Sequence, residues 1–401
     1  MKNLNMVTAR KIIEKIGATG TPPEWGFQYF TSGIDKYLNI MEDEYFSTFI
    51  KDGGSTFKLI TGMYGGGKTH FLYCLRAIAW KYKFVVSYVQ LSPSESPFHQ
   101  LDKVYKSVAE NLTPPLPPGE LLSGYSKGIV NLLKLWHNER YSDNKSKNIP
   151  DEKVNEILLE ELKQIDSIEN ISFLKAIKSA FLALMQDKDD DFQNICQWLT
   201  CEQYDRRLHG KYGILQKIEK SSAFMIIRSL VQWIRQIGYS GMIILLDEAE
   251  RVPSLSSKQQ ELHLNNLREV IDACGNVSFQ NVMIYYAVPD RSFLDGKTQI
   301  YEALKQRLHT VFDYFNPSGV TIDLEDKNII PDPIDFLTDI GQKLIKIYET
   351  AYSYSFNDNK VNEAISSIAK ASYEKRHGDT GYKRLFVQQL IREFNLIRRA
   401  V

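Results

Sequence analysis

Cysteine is scarce: Cys74, Cys196, Cys201 and Cys274 are the only four in 401 residues, and no two form a CxxC pair. That spacing argues against a disulfide scaffold or a zinc ribbon, and a reduced, cytoplasmic setting is the simplest reading. The seven histidines contain no HExxH pattern, so the commonest zinc-hydrolase signature is missing as well. Neither sign of charge is in excess, since 49 Lys+Arg balance 49 Asp+Glu. No global attraction to nucleic acid or anionic lipid follows. DNA contact therefore requires a local patch, such as the basic faces within residues 211–220 and 390–399. No stretch reaches the roughly 18 uncharged apolar residues of a membrane span, and the N-terminal segment lacks a secretory apolar core and cleavage site. Both membrane spanning and secretion are disfavoured. What remains, 43% hydrophobic and 24% charged residues, is the balance of an ordinary folded chain.

Apolar residues at helical spacing, Ile12, Ile13 and Ile16, predict a short N-terminal helix that ends in GATGTPP. A second helical period resumes after this loop, with Thr31 or Ser32 as its cap, and stops at KDGGS. Five short apolar runs rich in β-formers then predict strands at 57–61, 84–90, 242–246, 282–288 and 320–324. Continuous apolar runs separated by helix-length segments point to a mainly parallel sheet buried on both faces, an α/β fold. The long gap between the second and third runs carries several amphipathic helices. The expected organisation is a discontinuous core (1–119 and 213–332), a helical insertion (120–212) and a C-terminal helical lid (333–401).

Directly after the first predicted strand stands Gly62-Met63-Tyr64-Gly65-Gly66-Gly67-Lys68-Thr69, a GxxxxGK[ST] pattern followed by an amphipathic helix. The chemistry needs these types in this order. Glycines let successive N–H groups converge on phosphate oxygens, the helix turns its positive end toward them, Lys68 reaches the terminal phosphates, and the Thr69 hydroxyl ligates Mg²⁺. Tyr64, Gly65, Gly66 and His70 complete the expected cofactor-contacting set, His70 as a packing or capping residue rather than a catalyst. The run MIILLDEAE, residues 242–250, delivers two consecutive carboxylates at the end of a buried strand, where ligands bind in such sheets. Asp247 would hold the metal and Glu248 would polarise the attacking water. Glu250, two residues farther on, is the weaker candidate for that base. Asp290 follows the fourth strand as a candidate sensor of the terminal phosphate. Arg307 and Arg384 are candidate phosphate-reaching arginines, the first as a finger toward a neighbouring subunit and the second from the lid.

The ordered set TGTPPEWGFQYFTSG, FKLITGMYGGGKTHFLY, FVVSYVQLSPSESPFHQLDKVYKSVAENL and MIILLDEAERV resembles the ATP-binding proteins of bacterial BREX phage-defence systems, in particular the BrxD-like group. The resemblance implies a P-loop ATPase of AAA+ type near the origin-recognition and STAND lineages. It also implies ATP as the nucleotide, with Gly62, Gly67, Lys68 and Thr69 in the nucleotide loop, Asp247 and Glu248 in the metal and base roles, and residues 20–33 beside the adenine. The partners it implies are helicase, methyltransferase or phosphatase-like subunits, DNA directly or through them, and further copies of the chain. Two alternatives stay open on these residues: a STAND-like switch scaffold with negligible turnover, and an origin-recognition-like DNA-loading ATPase.

Overall fold

In the computed structural model, which describes residues 4–249, 255–276, 278–376 and 381–400, six strands form one sheet in the order β3-β2-β4-β5-β1-β6. They are β1 (Ser55–Thr61), β2 (Val85–Gln90), β3 (Leu112–Thr113), β4 (Met242–Asp247), β5 (Val282–Val288) and β6 (Thr321–Asp323). All five predicted strands are present, and the expected count of five is corrected to six by β3. This two-residue edge runs antiparallel to β2 through Val86↔Thr113 and Ser87↔Leu112. A pair of residues has no period, so its apolar pattern carries no strand signal. The remaining pairings are parallel, and their registers bring Thr61, Gln90, Asp247, Val288 and Asp323 to one rim.

Alternate residues of each strand face two different cores. Phe57, Leu59, Val85, Ile244, Leu246, Ile284 and Tyr286 look one way. Ile60, Val86, Ile243, Leu245, Met283, Tyr285 and Ile322 look the other. Period-two alternation with both sets apolar is what a sheet covered on both faces requires. On the first face lie α4 (Leu101–Glu110), α6 (Ile129–Ser146), α7 (Asp151–Gln164), α8 (Ile171–Met185), α9 (Asp189–Leu199), α11 (Ala223–Gln236), α12 (Ser257–Gly275) and α13 (Gln299–Leu308), with the short helices α5 (Pro118–Ser123) and α10 (Arg206–Gly210) in the intervening connections. The helices of residues 120–212 thus share one continuous core with the sheet, through Leu132, Trp136, Phe181 and Trp198.

On the second face lie α1 (Met6–Thr19), α2 (Asp35–Ile40), α3 (Lys68–Lys81), α14 (Pro333–Tyr352), α15 (Asp358–Glu374) and α16 (Tyr382–Arg399). Helix α1 buries Ile12, Ile13 and Ile16, as its spacing predicts, and packs against α14 and α16 of the C-terminal block. The predicted cap of the second helix is corrected: Ile34 occupies the N-cap of α2 and no side chain caps it. Thr31 and Ser32 are engaged elsewhere, Thr31 with His70 and Ser32 with Asp339 on α14. Among the described residues no helix is long and apolar enough to cross a membrane.

Candidate functional site

Strand β1 is buried almost throughout and ends at Thr61, so the glycine loop leaves the sheet at its carboxyl rim. The Gly62 N–H donates to the Val288 and Pro289 carbonyls at 3.3 and 3.2 Å, which ties the loop to the end of β5. Within the loop the Gly66 N–H donates to the Met63 carbonyl at 2.8 Å. Gly67 precedes α3 with φ 100°, a left-handed conformation that side chains rarely adopt, and a Cβ there would meet nothing within 4 Å. The space beside Gly67 is therefore an open cradle over the first turn of α3, where backbone N–H groups carry partial positive charge.

Lys68 is buried and its Nζ donates to the Gly62 carbonyl at 2.8 Å and the Met63 carbonyl at 3.3 Å. The Thr69 hydroxyl donates to Asp247 Oδ2 at 2.7 Å. The structure thus joins the two sequence motifs through one hydrogen bond between residues 178 positions apart. Asp247 is 1% exposed, and the Tyr88 hydroxyl on β2 donates to the same oxygen at 2.8 Å. Burial first, and then the neighbouring Asp247 charge, push the Tyr88 hydroxyl far above the ordinary phenol range, so it stays a donor. Sequence reasoning missed Tyr88. The only signal was its place in the strand that pairs with β4, register Tyr88↔Leu245.

Glu248 adopts φ 56°, and its N–H donates to Asp247 Oδ1 at 2.9 Å. In an extended strand two consecutive side chains point to opposite faces; the left-handed backbone at Glu248 breaks that alternation at the rim. Such a conformation costs on the order of 1–3 kcal/mol for a residue other than glycine, and strain of this kind clusters at functional sites. Glu248 lines a small cavity with Phe98, His99 and His263. Glu250, the weaker candidate for the base, lies outside the described residues.

The other side of the glycine loop opens onto a cleft of about 740 Å³, the solvent at its mouth included. Gly65, Gly66, Gly67 and His70 form one wall, Gly20, Pro22, Phe30, Ser32 and Ile34 a second, and Phe336, Lys383, Arg384 and Val387 a third. Most of the lining is apolar, as for a site that encloses an aromatic ring system. His70 sits edge-on to Phe27 and Phe30, with Nε2 2.8 Å from the Thr31 hydroxyl. Burial, helped by the Lys383 charge, lowers its pKa to about 4, so it is neutral near pH 7 and packs the pre-loop segment onto α3.

The three remaining candidates occupy different surroundings. Asp290 is exposed, and its carboxylate accepts the Ser292 N–H at 2.7 Å in a turn beside the loop's entry. Arg384 lies 4.8 Å from the centre of the Tyr64 ring, lines the cleft, and has a buried Nε with no hydrogen-bond partner. Arg307 forks onto Asp272 at 2.6 and 3.0 Å. Asp272 lies near the end of α12, which meets the start of β1 where Ser55 Oγ donates to the Cys274 carbonyl. Arg307 is thus at the opposite end of β1 from the chain's own glycine loop. The residue that does enter the loop is Lys383, whose Nζ donates to the Gly66 carbonyl at 2.8 Å. It stands immediately before Arg384, and a sequence shows which residues open a helix but not which of two adjacent cations turns inward.

A six-stranded, mostly parallel sheet between two helical layers, with the glycine loop and paired carboxylates on one rim, makes this an α/β protein with a single-rim candidate site. The chain belongs to the family of the BREX system ATP-binding protein BrxC/D, whose family model matches residues 5–400. No curated protein and no solved structure matches it. Membership makes the chain an ATP-binding component of a phage-defence system.

Proposed function

We propose that the chain is a Mg²⁺-dependent ATPase of AAA+ type that couples hydrolysis to movement of its lid or of its neighbours on DNA or partner proteins. The observation that carries this reading is the Thr69–Asp247 hydrogen bond beside the open cradle at Gly67. A hydroxyl and a buried carboxylate sharing one point next to phosphate-binding amides suit an octahedral, water-rich Mg²⁺. When bound, the metal supplies charge neutralisation at the transferred phosphoryl group. Thr69 and Asp247 would hold it, with Tyr88 orienting the carboxylate.

The loop amides and the start of α3 would bind the phosphates, and Lys68 would exchange the Gly62 carbonyl for phosphate oxygens. Glu248 would orient a water and accept its proton, Arg384 would face the developing charge, and Asp290 would serve as the sensor of the terminal phosphate. For Arg307 the same chemistry requires a neighbouring copy and release from Asp272. The adenine would occupy the apolar cleft between residues 20–34 and the lid. A second reading, a switch scaffold that holds nucleotide with negligible turnover, is favoured by the closed seating of the lid on the loop through Lys383 and Gly66.

Equilibrium binding of a fluorescent ATP analogue, with and without Mg²⁺, tests the metal assignment. In the wild type Mg²⁺ strengthens binding or supports turnover, and Thr69→Ala loses that dependence while keeping metal-free affinity within about threefold. A Thr69→Ala protein with undiminished Mg²⁺ dependence would remove the assignment.

A further inference from the structure

Lys383 has more partners than the loop carbonyl. Its Nζ also donates to Glu325 Oε1 at 2.9 Å and, at 3.4 Å, to the Leu324 carbonyl. The side chain is 11% exposed, with the Phe336 ring 5.4 Å from the ammonium. Glu325 is itself fixed, since the Tyr382 hydroxyl donates to Oε2 at 3.1 Å and the Glu325 N–H donates to Asp323 Oδ1 at 3.0 Å. A Cβ on Gly66 would stand 2.9 Å from Glu325 Oε1, so this carboxylate abuts the glycine loop itself. Just before Lys383, Gly381 takes φ 69°, and a Cβ there would lie 1.9 Å from the Tyr64 carbonyl. The start of α16 and the loop are in direct contact.

A carboxylate suits a loop built to attract anions, but it would repel phosphate oxygens laid on the same loop, because like charges this close repel strongly where water is excluded. Lys383 compensates it. Burial favours the neutral amine and Glu325 opposes that, so the ammonium depends on its carboxylate partner. Lys383 therefore has a choice between two anionic partners in one small space: Glu325, and phosphate oxygens lying on the loop. We propose that Glu325 is a built-in competitor of the nucleotide's phosphates for Lys383, so that the Glu325–Lys383 pair sets nucleotide affinity and how firmly the lid seats. The proposal rests on the reading that the loop holds phosphates. It specifies a ligand with an anionic phosphate chain, because a bare nucleoside gains nothing from the exchange. It makes Lys383 a positioning residue that passes the state of the loop to α16.

The test titrates the full-length chain with ATP·Mg²⁺ and, separately, with adenosine, in the wild type, Glu325→Gln, Lys383→Met, Lys383→Arg and Lys68→Ala. Glu325→Gln keeps the shape and the Tyr382 hydrogen bond while removing the competing charge. It is expected to bind ATP roughly tenfold more tightly and adenosine unchanged. Lys383→Met is expected to weaken ATP by a similar factor, with most of the loss restored by Lys383→Arg. Should Lys383→Met fold poorly, Glu325→Gln decides the matter alone. If Glu325→Gln leaves ATP affinity unchanged or weaker, or strengthens adenosine equally, while Lys68→Ala abolishes ATP binding, the competitor proposal is overturned and the phosphate-loop reading stands. If Lys68→Ala binds ATP as the wild type does, the loop reading itself fails.

Discussion

Glu248 and Asp247 are neighbours in sequence with separate surroundings. Asp247 accepts hydrogen bonds from Thr69, Tyr88 and the Glu248 N–H, so its oxygens are held in a fixed orientation. Glu248, bent out of strand geometry, lines a different cavity. On the proposed reading Asp247 binds the metal and Glu248 accepts the proton. Glu248→Gln is therefore expected to keep ATP affinity within about twofold while turnover falls by at least about a hundredfold, the usual range for losing a general base. Turnover near the wild-type rate, in the same preparation that binds ATP, would remove Glu248 from the role.

The pre-loop segment, the loop helix and the start of the helical region are tied together by one charged network. Arg76 on α3, 3% exposed, donates to Glu24 Oε2 at 2.9 Å and to the Glu24 carbonyl at 2.6 Å, and stacks on Tyr73 and Trp80. The Tyr125 hydroxyl donates to the same Glu24 oxygen at 2.6 Å. Burial alone would raise the Glu24 pKa, but Tyr125, Arg76 and Lys127 outweigh it and hold it below the ordinary 4.5. Glu24→Ala is expected to cost about 1–2 kcal/mol. The figure lies below that of a fully buried pair because Glu24 is 38% exposed and the backbone bond to Arg76 survives. A carboxyl group with a depressed folded pKa contributes fully above its unfolded value and loses that contribution as pH falls through the folded one. Urea unfolding should therefore show the difference between wild type and variant intact at about pH 6 and shrinking toward pH 3. A difference that grows on acidification would refute the assignment. The elements were legible where their signals were local: Ile12, Ile13 and Ile16 at helical spacing, the buried runs at β4 and β5, and GxxxxGK[ST] after a strand. Partners of Thr31, Ser32, Tyr88 and Lys383 were not legible, because each is chosen by packing between segments far apart in sequence. Strand β3 escaped for the opposite reason, being too short to have a pattern.

As a whole the molecule has two cores divided by the sheet, and each ties a sequence-distant helical block to the site-bearing strands. The helices of residues 120–212 bury Trp136, Phe181 and Trp198 against the face that carries Leu246, two residues before Glu248. On the other face α16 sets Lys383 and Arg384 beside the loop, the contact through which the proposed coupling of loop occupancy to the C-terminal block would act. The balanced charge supplies no general attraction to DNA, in contrast to the basic surfaces of specific DNA interfaces. Stimulation by DNA would then come through a local patch or a partner. The most direct measurement is phosphate release from ATP and Mg²⁺ by the purified chain, with and without double-stranded DNA, using Lys68→Ala as the blank. The account predicts Mg²⁺-dependent release that is absent in Lys68→Ala. Release that persists in Lys68→Ala, or a wild-type chain that retains ATP without turning it over, would contradict it.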